Sequence, residues 1–159
     1  MEPLSLKKKL QDADVAVRAA AVEALSYEGA GADWAALELV SACGDQESVK
    51  RWAVAALEDL GPPRLAAVGG LIDLTGSPNP LVAYWAVTLI GRLGAEGRVG
   101  EGALVTVLLG SKDDSVQDRA AWALGKLSAE SQSAIEALRG AAESGRPRLA
   151  HLAQAALAR

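Results

Sequence analysis

Apolar and polar positions recur along this chain in one nine-residue pattern, apolar at the first position, small at the fifth and eighth, and Leu or Ile at the ninth. The copies run Val17 to Leu25, Val49 to Leu57, Val82 to Ile90, Val116 to Leu124 and Leu149 to Leu157, with first residues 32, 33, 34 and 33 positions apart. Each helical residue advances about 100° around the axis, so the first, fifth, eighth and ninth positions share one arc and form a buried face. Five such helices at a near-constant period predict a repeat architecture.

Start and stop signals fall at matching places around each of these helices, termed B. Three residues before the pattern stand Asp14, Gln46, Asn79, Asp113 and Arg146; Asp14, Asn79 and Asp113 can each accept a bond from an orphan backbone N–H. The next column holds Val15, Glu47, Pro80, Asp114 and Pro147, where proline and acids suit the first helical turn. Four residues past the ninth position come Gly29, Gly61, Gly94 and Ser128, and glycine there ends a helix in the left-handed conformation. A less regular helix, A, precedes each B: Pro3 to Gln11, Asp33 to Ala42, Pro62 to Thr75, Arg98 to Leu109 and Ser131 to Glu143. Asp33 and Ser131 are expected to cap theirs, and Trp34 to anchor the entry of the second. The expected architecture is all-α, a right-handed α-solenoid of about five helical hairpins in one domain over 1–159, with repeats near 1–29, 30–61, 62–94, 95–128 and 129–159.

Composition narrows the activity more than the fold. Sixteen basic against twenty acidic side chains leave a net charge of −4, which argues against a protein held mainly by nucleic-acid phosphates. One cysteine, Cys43, excludes an internal disulfide and fits a reducing compartment. Met1 to Lys9 lacks the apolar run of a secretion signal, and no stretch is apolar enough for a membrane span; a soluble, cytoplasmic protein without a membrane partner is expected. The single histidine, His151, has no companion ligand, and Cys43 has no base beside it, so no metal, cofactor or catalytic residue is expected. Glycines 94, 97, 100 and 102 match neither phosphate-loop pattern. Lys7-Lys8-Lys9 is read as a solvated complement to the end of the first helix.

The fragment Leu10 to Leu25, with its leading Leu, Asp12-x-Asp14, Val17-Arg18 and later Ala and Leu, resembles the HEAT repeat in the short form of bacterial HEAT-like proteins and phycobilin lyase subunits. Weaker copies are Asp45 to Lys50 and Asp113 to Gln117. The resemblance implies an α-solenoid serving chiefly as a protein-binding scaffold, with B helices on the concave side. The basic residue after the Val is lost where Ala83, Gln117 and Ala150 stand, so an Asp-to-Arg ladder between repeats, as the family suggests, would be incomplete.

On that arrangement the third, fourth and seventh columns of the B helices become the available surface. They hold Arg51, Trp52, Tyr84, Trp85, Asp118, Arg119 and Trp122 in the middle repeats, against Ala19, Ala20 and Glu23 in the first. Trp, Tyr and Arg dominate interface energetics, so these seven are the candidate partner-binding residues, with Trp122 and Asp118 pointing outward. For Trp52 and Trp85, on the flank, packing between neighbouring B helices stands equally open. The expected function is non-enzymatic recognition of another protein or peptide. Two alternatives rest on resemblance: a DNA-base-processing HEAT-like enzyme, echoed by Trp85, Asp118 and Trp122, and a bilin lyase-type subunit handling a chromophore. Ala150, Gln154 and Ala158 on the last helix leave end-to-end self-association open as well.

Overall fold

The computed structural model describes residues 2–158, all helix and turn among the described residues. Its fold class is an α-solenoid: helical hairpins follow one another in sequence, and each hairpin packs on its neighbour within a unit. The described residues divide between Ala67 and Val68 into two compact units.

In the first unit the hairpins are α1 (Pro3–Lys9) with α2 (Val15–Ser26), and α3 (Ala36–Ala42) with α4 (Glu47–Leu60); α2 packs along α4, and α3 closes on α4. In the second they are α5 (Val68–Leu74) with α6 (Pro80–Arg92), α7 (Glu101–Gly110) with α8 (Asp114–Lys126), and α9 (Gln132–Ala142) with α10 (Pro147–Leu157); α6, α8 and α10 lie side by side. The B helices are α2, α4, α6, α8 and α10.

The local signals explain these bounds. The Asp14 side chain accepts from Ala16 N, Asn79 from Leu81 N and Val82 N, and Asp113 from Val116 N, while Gln46 and Arg146 make no side-chain cap. Pro80 and Pro147 open their helices, and Ser131 caps α9 through Ala134 N. Positive φ among the described residues is confined to the stop column: 55° at Gly29, 74° at Gly61, 61° at Gly94 and 53° at Ser128. Only Ser128 carries a Cβ there, a strained position for a residue other than glycine.

Three of the A helices, α3, α5 and α7, begin later than expected, while α1 opens at Pro3 and α9 follows its Ser131 cap as expected. After the stop, the chain re-enters through 3-10 turns at Gly29–Ala35, Leu65–Ala67 and Gly94–Gly100, the tighter form common at helix N-termini. Asp33 therefore caps nothing; its carboxylate takes Arg64 Nε at 2.9 Å. In the glycine-dense turn a Cβ on Gly97 would stand 2.7 Å from the Ile90 carbonyl oxygen, so the backbone lies directly on α6.

Alanine at the fifth position is buried in every B helix: Ala21, Ala53, Ala86, Ala120 and Ala153. The ninth-position Leu25, Leu57, Ile90 and Leu124 are fully enclosed, and Leu157 is half-buried. These side chains form the seam between adjacent helices. Burial of each large aliphatic contributes about 1.5–3 kcal/mol. Small residues set the spacing, because a Cβ on Gly125 of α8 would meet Ala156 Cβ of α10 at 3.1 Å.

Side chains tie successive hairpins together in two senses. In the first unit Arg18 of α2 reaches forward to Asp45, Nε to Oδ2 at 2.8 Å and Nη2 to Oδ1 at 2.9 Å. In the second unit, Gln117 of α8 occupies the place equivalent to Arg18, and the cation comes from the next repeat: Arg146 Nη1 donates to Gln117 Oε1 at 2.7 Å and Nη2 to Asp118 Oδ1 at 2.6 Å. The ladder expected to be incomplete is thus continued at this joint with its polarity reversed.

The outward placing of Asp118 is corrected, and Thr88 in the seventh column proves buried as well. Asp118 is buried, 9% exposed, because Arg146 from the turn before α10 folds over it. Thr88 is buried too, its hydroxyl donating to the Tyr84 carbonyl at 2.7 Å, which lets an apolar seam accept it.

Candidate functional site

Four of the seven candidate residues converge. In the second unit a groove of about 540 Å³ runs across α6, α8 and α10, lined by Pro80, Leu81 and Tyr84, by Asp113, Ser115, Asp118, Arg119 and Trp122, and by Arg148 and Leu152. Tyr84 and Asp118 share the third column and Arg119 the fourth, so helical register alone carries them to one side.

At its centre the Arg119 guanidinium lies between two rings, its Cζ 4.7 Å from the centroid of Tyr84 and 4.7 Å from that of Trp122. Its Nη2 also donates to the Tyr84 hydroxyl. Lys126 Nζ stands 5.9 Å from the Trp122 ring. Cation–π contacts of this kind contribute about 0.5–2 kcal/mol each as they lose water, and here they fix a charged fork against the aromatic wall. Asp118 meets Arg146 at 2.6 Å and, more loosely, the exposed Arg148 Nε at 3.7 Å. Asp113 is occupied as the cap of α8.

Of the two readings left open for Trp85, the packed one holds, so this candidate binding residue is not part of the open surface. It is 7% exposed, with the Tyr84 ring edge-on at 5.7 Å and Arg92 over it at 5.4 Å. Its Nε1 meets no acceptor. Burial, and then repulsion from Arg119, press the Arg92 guanidinium below the ordinary arginine value, with Tyr84 partly offsetting. The set of Trp85, Asp118 and Trp122 that echoes a base-processing cleft is therefore not assembled: one indole is packed away and the carboxylate is taken by arginines.

Arg51 and Trp52 belong to the first unit and form a patch of their own. Arg51 lies over the Trp52 ring at 5.5 Å, and Tyr27, 72% exposed, stands 6.1 Å from Trp52 at a tilt of 59°. Trp52 is half-buried, with one part packed and one part open. The Tyr27 hydroxyl meets Glu23 Oε1 at 3.2 Å, a hydrogen bond that raises its pKa, with burial and the Glu23 charge adding to it.

Several contributors escaped the column reading. Tyr27 sits just past α2, outside the pattern. Gly91 looks like an ordinary helical glycine until α8 is placed beside it, where a Cβ would stand 2.5 Å from Trp122 Cζ3. Arg146 did leave a trace, as the one cation in a column of Asp, Gln and Asn.

Among the described residues no group of three or more His, Cys, Asp or Glu is placed to hold a metal, and no helix is long and apolar enough to cross a membrane. A sequence profile for HEAT repeats matches residues 68–158. The chain belongs to the HEAT-repeat family. Among curated proteins none matches it. Solved structures share the fold with this HEAT-repeat chain. An engineered protein aligns over 99% of this chain and 79% of its own, at 23% identity and a TM-score of 0.66. A designed armadillo repeat protein in complex with the peptide (KR)4 aligns over 96% and 79%, at 22% identity and a TM-score of 0.67. Human deoxyhypusine hydroxylase in complex with glycerol aligns over 96% and 71%, at 18% identity and a TM-score of 0.54.

Proposed function

We propose that this HEAT-repeat protein is a non-enzymatic recognition scaffold that grips a segment of another protein or a peptide along its B helices. The observation that carries this reading is the Tyr84–Arg119–Trp122 stack set in an open, partly apolar groove. Aromatic and arginine side chains held rigid before binding lose little freedom when a partner arrives. The designed armadillo neighbour gives general support, since a protein of the same fold holds a peptide. The Tyr27, Arg51 and Trp52 patch of the first unit offers a second place for contact. A reducing, cytoplasmic setting suits the lone, buried Cys43.

The test is a double replacement, Tyr84→Ala with Trp122→Ala, checked for native helicity by circular dichroism. Wild-type protein used as bait in host extract should retain partners, identified by mass spectrometry, that the variant loses, since removing an aromatic anchor costs about 2 kcal/mol or more at an interface centre. An identical retained set from both baits would overturn the reading.

A further inference from the structure

The charges around the groove are distributed unevenly, although the second unit as a whole is neutral, with nine basic and nine acidic side chains from residue 68 onward. Helices α6 and α10 contain no acidic residue. The two acids within α8, Asp114 and Asp118, both face Arg146, at 3.6 and 2.6 Å. The capping Asp113 is committed to the backbone of α8. The same three helices and the Arg146 cap carry Arg92, Arg119, Lys126, Arg146 and Arg148. Cations therefore exceed acids across these three helices and their caps, and of the groove-lining charges both acids, Asp113 and Asp118, are already engaged.

Arg119 is the member whose position matters most. It is half-buried, lines the groove, and is held by two rings and a phenol oxygen, with no described carboxylate paired to it. A guanidinium has more N–H donors than one phenol oxygen can accept from. The phenol oxygen takes one Nη2 donor, the remaining N–H groups are left for further hydrogen bonds, and a planar fork held against two rings in this way matches a carboxylate. The arginines that neutralise Asp118 keep that acid from competing for the same fork.

Resting on the reading of this groove as a peptide-binding site, we propose that its occupant is an acidic peptide segment whose Asp or Glu carboxylate seats on Arg119, with apolar neighbours of that residue lying against Trp122 and Leu152. The sign is opposite to that of the (KR)4 peptide held by the designed armadillo protein.

Selection of a phage-displayed random peptide library on the full chain tests this, with winners resynthesised and their affinities measured by fluorescence anisotropy against wild type, Arg119→Gln, Arg119→Lys and Trp122→Ala. Expected are Asp- or Glu-containing winners that weaken as salt rises, lose about tenfold or more in affinity with Arg119→Gln, recover partly with Arg119→Lys and weaken with Trp122→Ala. Neutral or basic winners that depend on Trp122 but tolerate Arg119→Gln would overturn the acidic assignment and leave the groove as a peptide site. Winners indifferent to both residues would overturn the groove reading and this inference together. Circular dichroism on each variant separates loss of binding from loss of fold, and Arg119→Lys keeps the test valid should Arg119→Gln unfold.

Discussion

Gly91 of α6 lies directly against the indole of Trp122 on α8: a Cβ at Gly91 would stand 2.5 Å from Trp122 Cζ3 and 3.1 Å from the Ala123 Cα. The second obstacle is backbone, so turning the indole aside would not make room. Gly91→Ala should gain up to about 1 kcal/mol in helix propensity and lose about 1–3 kcal/mol through overpacking. Net destabilisation of about 1 kcal/mol in urea denaturation is expected, with a changed near-ultraviolet circular dichroism band as Trp122 moves.

Removing Arg146 strips a mostly buried carboxylate of its closest partner. Asp118 retains only Arg148, exposed and 3.7 Å away. Arg146→Ala should cost about 2 kcal/mol, below the range for fully buried pairs because Arg146 is itself a third exposed. Arg148→Ala should cost under about 0.5 kcal/mol. A double-mutant cycle with Asp118→Asn checks the attribution: Arg146→Ala should cost much less once the carboxylate is gone.

Asp45 links α2 to the turn before α4, and its carboxyl is held below the usual value, chiefly by the hydrogen bonds of Arg18, against burial and with help from the Gln46 N–H. A lowered folded-state pKa contributes stability above the unfolded value of about 3.9, and that contribution disappears as pH falls through the folded value. Asp45→Asn should therefore melt below wild type at neutral pH, and the gap should close under about pH 4. Thermal melts of both proteins down to about pH 2 measure it; a gap independent of pH would exclude the ion pair as its source.

Burial pushes the Cys43 thiol up to about 12, with Lys50 opposing weakly. Since the thiolate is the reactive form and the sulfur is buried, reaction with a disulfide reagent at about pH 8 should be much slower than for a free cysteine. Addition of denaturant should restore the ordinary rate.

The fold was largely readable because its signals are local and repeated. A column of Asp or Asn caps, a column of prolines or acids, and a column of Gly or Ser stops each depend on one backbone position, so the alignment of Gly29, Gly61, Gly94 and Ser128 foretold every positive φ described. The groove was readable in part. Helical register alone places Tyr84, Arg119 and Trp122 on one side, yet Asp118 and Trp85 share that register and are covered. What covers them comes from elsewhere: Arg146 from the following repeat, Arg92 from about two turns further along α6. Periodicity gives the direction in which a side chain leaves its own helix, whereas burial depends on what its neighbours send back.

The opposite polarity of the two joints makes the repeats non-interchangeable. Arg18 requires a carboxylate in the turn that follows it, whereas Gln117 and Asp118 require a cation in theirs. Duplicating the hairpin of α3 and α4 and splicing it after α8 would set the acidic Asp45 turn against Asp118, with no arginine between them. Such a chain could be lengthened only by altering that turn and its receiving helix together, so any growth of this array by copying single hairpins would be limited at the seam after α8.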